Sequence, residues 1–403
     1  MTAVLAGCGG GGAAAPRAAT AACSAPAWVA AWAADPSDGM NPGIVDQTAR
    51  TILTANLAGD TVRVHLSNRF GAGPVKFGAA SVGLAAGAGP GLVAGSRRPL
   101  TFGGAASVTV ARGADAVSDP VSLHLDPSSD VAVSVFAAGA TGPATEHALG
   151  QQTSFFSPPG SGDHTAEDGG GAFTIPTRAR YFVSGVDVRA TSAVGLVVAM
   201  GDSITDGFGG PPDGHDRYPD FLAKRLAGRS LSVANAGISG NHVLSDGPGQ
   251  AGPSALHRLA ADVLGAPGAS DVIVLEGVND IGRQAPADRV IAGLGEIVSR
   301  LHTAGLGVQV ATLTPFGSAA APKAPLAAAE ASRAQVNRWI RAGAGGADGT
   351  ADFDAAVRDP VHLSRLAPRY DSGDHLHPNA AGRRALAGAV DVAGLRGASC
   401  KAA

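Results

Sequence analysis

Aromatic side chains make up only 4% of the 403 residues, and charged residues only 16%. The net charge is −3, so there is no basic excess to meet a phosphate backbone, and nucleic acid is excluded as an expected partner. No apolar run approaches the ~18 residues of a membrane-spanning helix. Cysteine is rare, at three residues. What is abundant is glycine, 58 residues, together with a hydrophobic fraction of 45%, ample for real cores. At this length two domains are the natural expectation.

The few cysteines sit at the chain's ends. Leu5-Ala6-Gly7-Cys8 resembles a bacterial lipobox, in which the cysteine is lipidated after cleavage. Only seven residues precede Cys8 and none is basic, whereas an export signal needs a charged start and an apolar stretch of about 7–15 residues. Either the true start lies upstream of Met1 or the match is chance in Ala/Gly-rich sequence. The flexible Gly/Ala linker that follows favours the lipobox, because a tether requires one. Export to the bacterial surface or medium is therefore expected, with any membrane contact through a lipid on Cys8. In that oxidising setting the remaining pair, Cys23 and Cys400, is expected to form a disulfide.

From Trp28 to about Arg189 apolar residues recur with period two. In "TVRVHLSN" (61–68), Val62, Val64 and Leu66 alternate with Arg63, His65 and Ser67, and "VSLHL" (121–125), "DVAVSVFA" (130–137) and "YFVSGVDV" (181–188) do much the same. Short alternating strands between Gly, Pro, Asn and Asp read as an antiparallel β-sandwich. "SPPGSGDHTAEDGGG" (157–171) is expected to be a long surface loop. After Thr191 the rhythm changes. Apolar strands at 193–200, 231–236, 270–277, 307–315 and 350–353 alternate with amphipathic helices at 217–227, 254–264, 286–305, 325–343 and 379–391. That alternation predicts a parallel sheet covered on both faces, with chemistry at the carboxyl ends of its strands. The expected organisation is a leader and linker over 1–24, a β-sandwich domain over 25–190 and an α/β domain over 191–403.

Four polar clusters fall at those strand ends: "GDSITDG" (201–207), "NAGISGN" (235–241), "GVND" (277–280) and "DHLHPN" (374–379). Each alone is ordinary turn chemistry. Together they supply the parts for acyl transfer. A serine hydroxyl is a poor nucleophile until a base takes its proton, and His377 is the candidate base for Ser203. Asp374, three residues earlier, is expected on the same face of a helical turn, holding one imidazole nitrogen while the other faces the serine. The backbone N–H groups of Ser203 and Gly240 and the side-chain amide of Asn279 are candidate oxyanion donors. His375, with Asp371 four residues ahead, is a local competitor for the base. His242 is expected to line the cleft without catalytic duty, and Asp202 and Asp206 to cap the turn around the nucleophile. Trp28 and Trp32 suit either sugar stacking or burial at the domain junction.

In that order and context the four clusters look like the sequence blocks of the SGNH (GDSL-type) hydrolases. The resemblance implies a flavodoxin-like three-layer α/β/α domain, Ser203 as nucleophile, Gly240 and Asn279 as oxyanion donors, Asp374 and His377 as acid and base, and no cofactor or metal. Family members are esterases, lipases and carbohydrate deacetylases. "WVAAWAADP" and "GDTVRVHLSNRFG" resemble the β-domain that precedes the hydrolase in a group of secreted bacterial SGNH proteins. The G-x-S-x-G elbow of α/β-hydrolases is absent, since Thr205 stands at the second glycine. The expectation is a monomeric, secreted serine esterase acting on short acyl groups of a small molecule or polysaccharide. A lipid or aryl esterase and a non-catalytic glycan-binding lipoprotein are the alternatives. "GD", "GNH" and "HLH" also echo the metallophosphoesterases, but residues 190–200 hold no acid or histidine and Val243 stands where an acid belongs.

Overall fold

A computed structural model describes residues 27–190, 194–317 and 325–397. Cys8, Cys23 and Cys400, and with them the lipobox and the expected disulfide, lie outside the described residues.

The first half is built from two large antiparallel sheets and a short two-stranded one, in which Glu146 and His147 pair with Tyr181 and Arg180. In one large sheet, β1 (Ala27–Ala33) pairs with β6 (Val183–Ala190), which pairs with β3 (Gly59–Ser67). In the other, β2 (Val45–Thr54), β5 (Asp130–Ala140) and β4 (Val75–Leu84) form the centre. The alternation in β3 does what its period demands: Val62, Val64 and Leu66 are buried and pack with Val131, Val133, Val135 and Phe182, while Arg63 and His65 face outward.

β2 departs from that pattern, with seven consecutive buried residues. The cause is the segment after Phe156, expected to be a surface loop. It folds back over the outer face of the sheet and is anchored by Arg50, which is itself fully buried. The Arg50 guanidinium donates to Ser134 Oγ at 2.8 Å, Pro90 O at 2.6 Å and Glu167 O at 2.6 Å, and lies 3.9 Å from the Phe173 ring centroid. Sequence periodicity could not reveal this, because the cover comes from over 100 residues away.

The second half is a five-stranded parallel sheet: β7 (Gly195–Gly201), β8 (Leu231–Gly237), β9 (Ala269–Leu275), β10 (Gly307–Ala311) and β11 (Gly349–Ala351). Its order is β8-β7-β9-β10-β11, the 2-1-3-4-5 winding of a flavodoxin-like sheet. The predicted strands and helices are present, and β9 and β10 end earlier than their apolar runs suggest. Helices α1 (Ser203–Asp206), α2 (Tyr218–Leu226), α3 (Ala255–Leu259), α4 (Val278–Gly282), α5 (Ala287–Thr303), α6 (Leu326–Arg341), α7 (Phe353–Val357) and α8 (Ala380–Ala389) cover it. They form two packed groups, α2 and α7 against α8, and α3 and α6 against α5, giving the three-layer sandwich. The short helices α1, α4 and α7 were not legible as periodic runs because one turn carries no period.

The two halves meet along β8, the outer strand of the parallel sheet. Ala34 bridges Asn235 in parallel, Ser232 Oγ donates to Ala30 O at 2.7 Å, and Asn56 Nδ2 donates to Val233 O at 3.0 Å. β1 thus lies beside an edge that would otherwise stay unpaired. Trp32 is buried at this junction rather than offered to a ligand.

Replacing Arg50 by Met is expected to cost about 2–4 kcal/mol, since three charge-assisted bonds are lost and three acceptors are left in place. Thermal melting should report the loss, and limited proteolysis should begin within 157–174. kcat per folded molecule should not change.

Candidate active site

β7 delivers its last residue, Gly201, into a turn too tight for any side chain. A Cβ there would lie 2.0 Å from Thr205 Oγ1 and 2.8 Å from Leu275 O. Asp202 then caps α1, its Oδ1 accepting from Ile204 N at 3.0 Å, and Gly207, at φ 96°, ends the helix after one turn. Ser203 is therefore the first residue of a helix at the carboxyl end of a central strand, beside the point where the strand order reverses. It is 8% exposed.

Ser203 Oγ lies 2.8 Å from His377 Nε2, across 174 residues of chain. The other ring nitrogen, Nδ1, is 2.6 Å from Asp374 Oδ2. A carboxylate only accepts, so Nδ1 carries the proton and the Nε2 lone pair is left for the serine O–H. The spacing between Asp374 and His377 was expected to act through a helical turn, and this is corrected. Residues 373–377 form a series of bends, not a helix. Asp374 Oδ1 accepts from Leu376 N at 3.0 Å and His377 N at 2.8 Å, an Asx-type turn that brings the two side chains together. Partial burial alone would raise the Asp374 carboxyl, but those amides and the His377 ring hold it well below the usual carboxylate range. It stays ionised throughout the range in which a histidine titrates.

The loop after β8 begins beside the end of β7, with Ile238 N donating to Gly201 O at 2.9 Å. Gly240 has φ +81°, a conformation that L side chains rarely adopt. Among the described residues, neither Gly240 N–H nor Ser203 N–H is used in a hydrogen bond within the fold. Asn279, at the start of α4, donates one of its two amide N–H groups to Asn241 O at 2.8 Å, leaving the other free to donate. Asp280 secures the same loop, accepting from Val243 N at 2.8 Å and Leu244 N at 3.1 Å. Asn241 shapes the next turn through bonds from its Nδ2 to Ala251 O and Pro253 O, both at 2.7 Å.

His375, the competitor, turns away. Its Nδ1 meets Asp371 Oδ2 at 2.5 Å, and its side chain is half exposed. His242 is buried with neither ring nitrogen bonded, and burial, helped by the charge of Arg283, pushes its pKa down to about 4, so the ring is neutral. Tyr218 and Phe221 pack in the core. Asp206 does not cap a turn, as the sequence suggested. Its Oδ2 accepts from Ser239 Oγ at 2.5 Å and its Oδ1 faces His147 Nε2 at 3.2 Å.

A hydroxyl held against an imidazole at this point of a 2-1-3-4-5 sheet is equipped for acyl transfer, and the class that fold and site define is an esterase-like hydrolase. The family model for the GDSL-like Lipase/Acylhydrolase family matches residues 199–385. That segment is a domain of the GDSL-like lipase/acylhydrolase family, and the enzyme is a carboxylic ester hydrolase. Similar solved structures include the inhibitor-bound aryl esterase of M. smegmatis, 19% identical over 48% of this chain and 95% of that one, TM-score 0.40. A carbohydrate acetylesterase family member from Sinorhizobium meliloti is 19% identical over 49% and 95%, TM-score 0.39. None of the curated proteins matches the chain.

Beneath Ser203 lies a charged layer that sequence reading missed. Arg258 on α3 is buried and surrounded by Asp35, Asp262 and Glu276, with Asp202 and Asp280 near by. The available signal was its position: Arg258 and Asp262 sit on the helix face otherwise formed by Ala255, Leu259 and Val263. Burial pushes Asp202 up to about 7, with the neighbouring Asp280 carboxylate adding to the rise. A raised acid holds its proton more tightly folded than unfolded. Its contribution to stability is therefore lost as pH climbs from the unfolded value near 4 towards 7. Asp202→Asn keeps the cap oxygen and removes the titration. The melting temperature of this variant relative to wild type should rise between pH 4 and pH 7 and then level off. A constant difference across that range would overturn the assignment.

Proposed function

We propose that the protein is a secreted serine esterase that removes short acyl groups from a ring-bearing alcohol, with an acylated carbohydrate as the leading class. The observation that carries this reading is the pair of contacts from Ser203 to His377 and from His377 to Asp374, at 2.8 and 2.6 Å. In acylation, Ser203 Oγ attacks the ester carbonyl carbon as its proton passes to His377 Nε2. The imidazolium is stabilised by Asp374, which stays a carboxylate. The carbonyl oxygen becomes an oxyanion facing Ser203 N–H, Gly240 N–H and the free N–H of Asn279. As the C–O bond breaks, the leaving oxygen takes the proton from Nε2 and departs as alcohol. Water then repeats the sequence on the acyl-enzyme, freeing the acid and the serine.

That proton route fixes which part of the substrate lies where. The alcohol must leave beside His377, and the neighbour there is Phe208. Its ring is 4.8 Å from the imidazole, centroid to centroid, and 41% exposed. Its backbone is immobilised independently of the ring, with Phe208 N donating to Ser203 O at 2.9 Å and Arg383 donating to Phe208 O at 3.0 Å. An exposed aromatic fixed on the leaving-group side suits a flat sugar or aryl face. Export, with a lipid on Cys8 as tether, is part of the proposal because a polymeric substrate lies outside the cell.

Ser203→Ala should abolish hydrolysis of p-nitrophenyl acetate, and a fluorophosphonate should label Ser203 alone. Activity should survive EDTA. Loss in chelator with recovery on adding a divalent metal would defeat the reading. His377→Ala should inactivate while His375→Ala keeps most activity, and the reverse outcome would exchange their roles. Asn279→Ala should lower kcat by about 10²–10³ with KM nearly unchanged. A lower melting temperature with unchanged kcat would instead make Asn279 a capping residue. Phe208→Ala should impair p-nitrophenyl acetate and acetylated xylan more than ethyl acetate. Equal losses on all three would remove the ring-alcohol assignment.

A further inference from the structure

We propose that His147, supplied by the N-terminal half, is a positioning residue for the oxyanion side of the active site, acting through Asp206 and Ser239. The proposal rests on the reading of Gly240 as an oxyanion donor.

The ring of His147 is buried between the two halves, its side chain 6% exposed and that of Asp206 3%. Nδ1 lies 2.8 Å from the backbone oxygen of Asp35. A carbonyl only accepts, so Nδ1 bears a hydrogen. In a neutral imidazole Nε2 would then be a bare lone pair, yet it faces Asp206 Oδ1 at 3.2 Å. Two lone pairs do not attract. A hydrogen on Nε2 or on the carboxyl makes this contact a hydrogen bond.

The second oxygen of Asp206 accepts from Ser239 Oγ at 2.5 Å. Ser239 immediately precedes Gly240, and Asp206 is the last residue of the helix that Ser203 begins. The strand end is pressed against that helix: a Cβ on Gly237 would lie 2.3 Å from Asp206 N. A single buried carboxyl therefore spans from the nucleophile's helix to the oxyanion loop. His147 fixes its orientation from 59 residues upstream. Arg180, itself buried, and Arg217 add positive charge facing Asp206. Without His147 the carboxyl is free to rotate, and Ser239 loses the acceptor that sets the loop.

Gly240 N–H has to meet a charge that exists only in the transition state, so loosening its loop should reduce kcat and leave ground-state binding alone. The full chain is assayed on p-nitrophenyl acetate with Ser203→Ala as control. His147→Ala and Ser239→Ala should each lower kcat about 10- to 100-fold with KM nearly unchanged. The double variant should be no worse than the poorer single one, because both act through Asp206. His147→Gln, which keeps one donor, should recover part of the loss. An alkyl boronic acid, which mimics the tetrahedral adduct, should weaken in parallel with kcat. Multiplicative losses, a change confined to KM, or a lower melting temperature at full kcat would each overturn the proposal. Should His147→Ala fail to fold, Ser239→Ala and His147→Gln give the same test. If Ser203→Ala keeps its activity, the acyl-transfer reading itself fails. If it is inactive while His147→Ala keeps full kcat, only the positioning role falls.

Discussion

A buried guanidinium holds the catalytic edge of the sheet in register. Arg258 donates from Nε to Asn241 Oδ1 at 3.0 Å, and from its two terminal nitrogens to Ala236 O at 2.8 Å and Gly201 O at 3.0 Å. Those two carbonyls belong to the ends of β8 and β7, the residues that lead into the Gly240 loop and into Ser203. The same terminal nitrogens reach Asp262 and Glu276, both at 3.3 Å, the latter just past the end of β9. A planar fork of five donors can make this set of bonds, and a lysine could not. Burying such a charge costs several kcal/mol unless it is paired, and here the acids outnumber it. Burial accordingly pushes Asp35 and Glu276 well above the usual carboxylate range.

The N-terminal half takes part in this arrangement. Asp35 lies 3.7 Å from Arg258, and Arg69 donates to Asp262 at 2.6 Å. With β1 lying along the edge of the parallel sheet and His147 against Asp206, the first half reaches both the edge strand and the layer below the nucleophile. That division of labour explains why the hydrolase half can carry short strands and a thin acidic layer: its open edge and its surplus charge are met from outside it.

Side-chain exposure increases outward from that layer. Ser203, Gly240 and Asn279 sit on elements whose backbone is held by caps, strand ends and buried side chains. The imidazole is nearly buried, while its partner Asp374 is 44% exposed and relies on local amides for its orientation. Phe208 stands further out on a fixed backbone.

The periodicities of the sequence determined the order of elements and the change from antiparallel to parallel sheet at about residue 191, because hydrophobic period is a local property of the chain. The four polar clusters, read against strand ends, were enough to single out Ser203, Gly240, Asn279, Asp374 and His377. The tertiary structure alone decided that Asp374 reaches His377 through an Asx turn, that β2 is buried on both faces beneath the segment held by Arg50, and that Asp206 faces a histidine from the other half. It also decided that Arg258 binds the strand ends together. A buried charge is placed by whichever partners surround it in space, and those partners lie tens to hundreds of residues apart. No local pattern in the chain encodes that pairing.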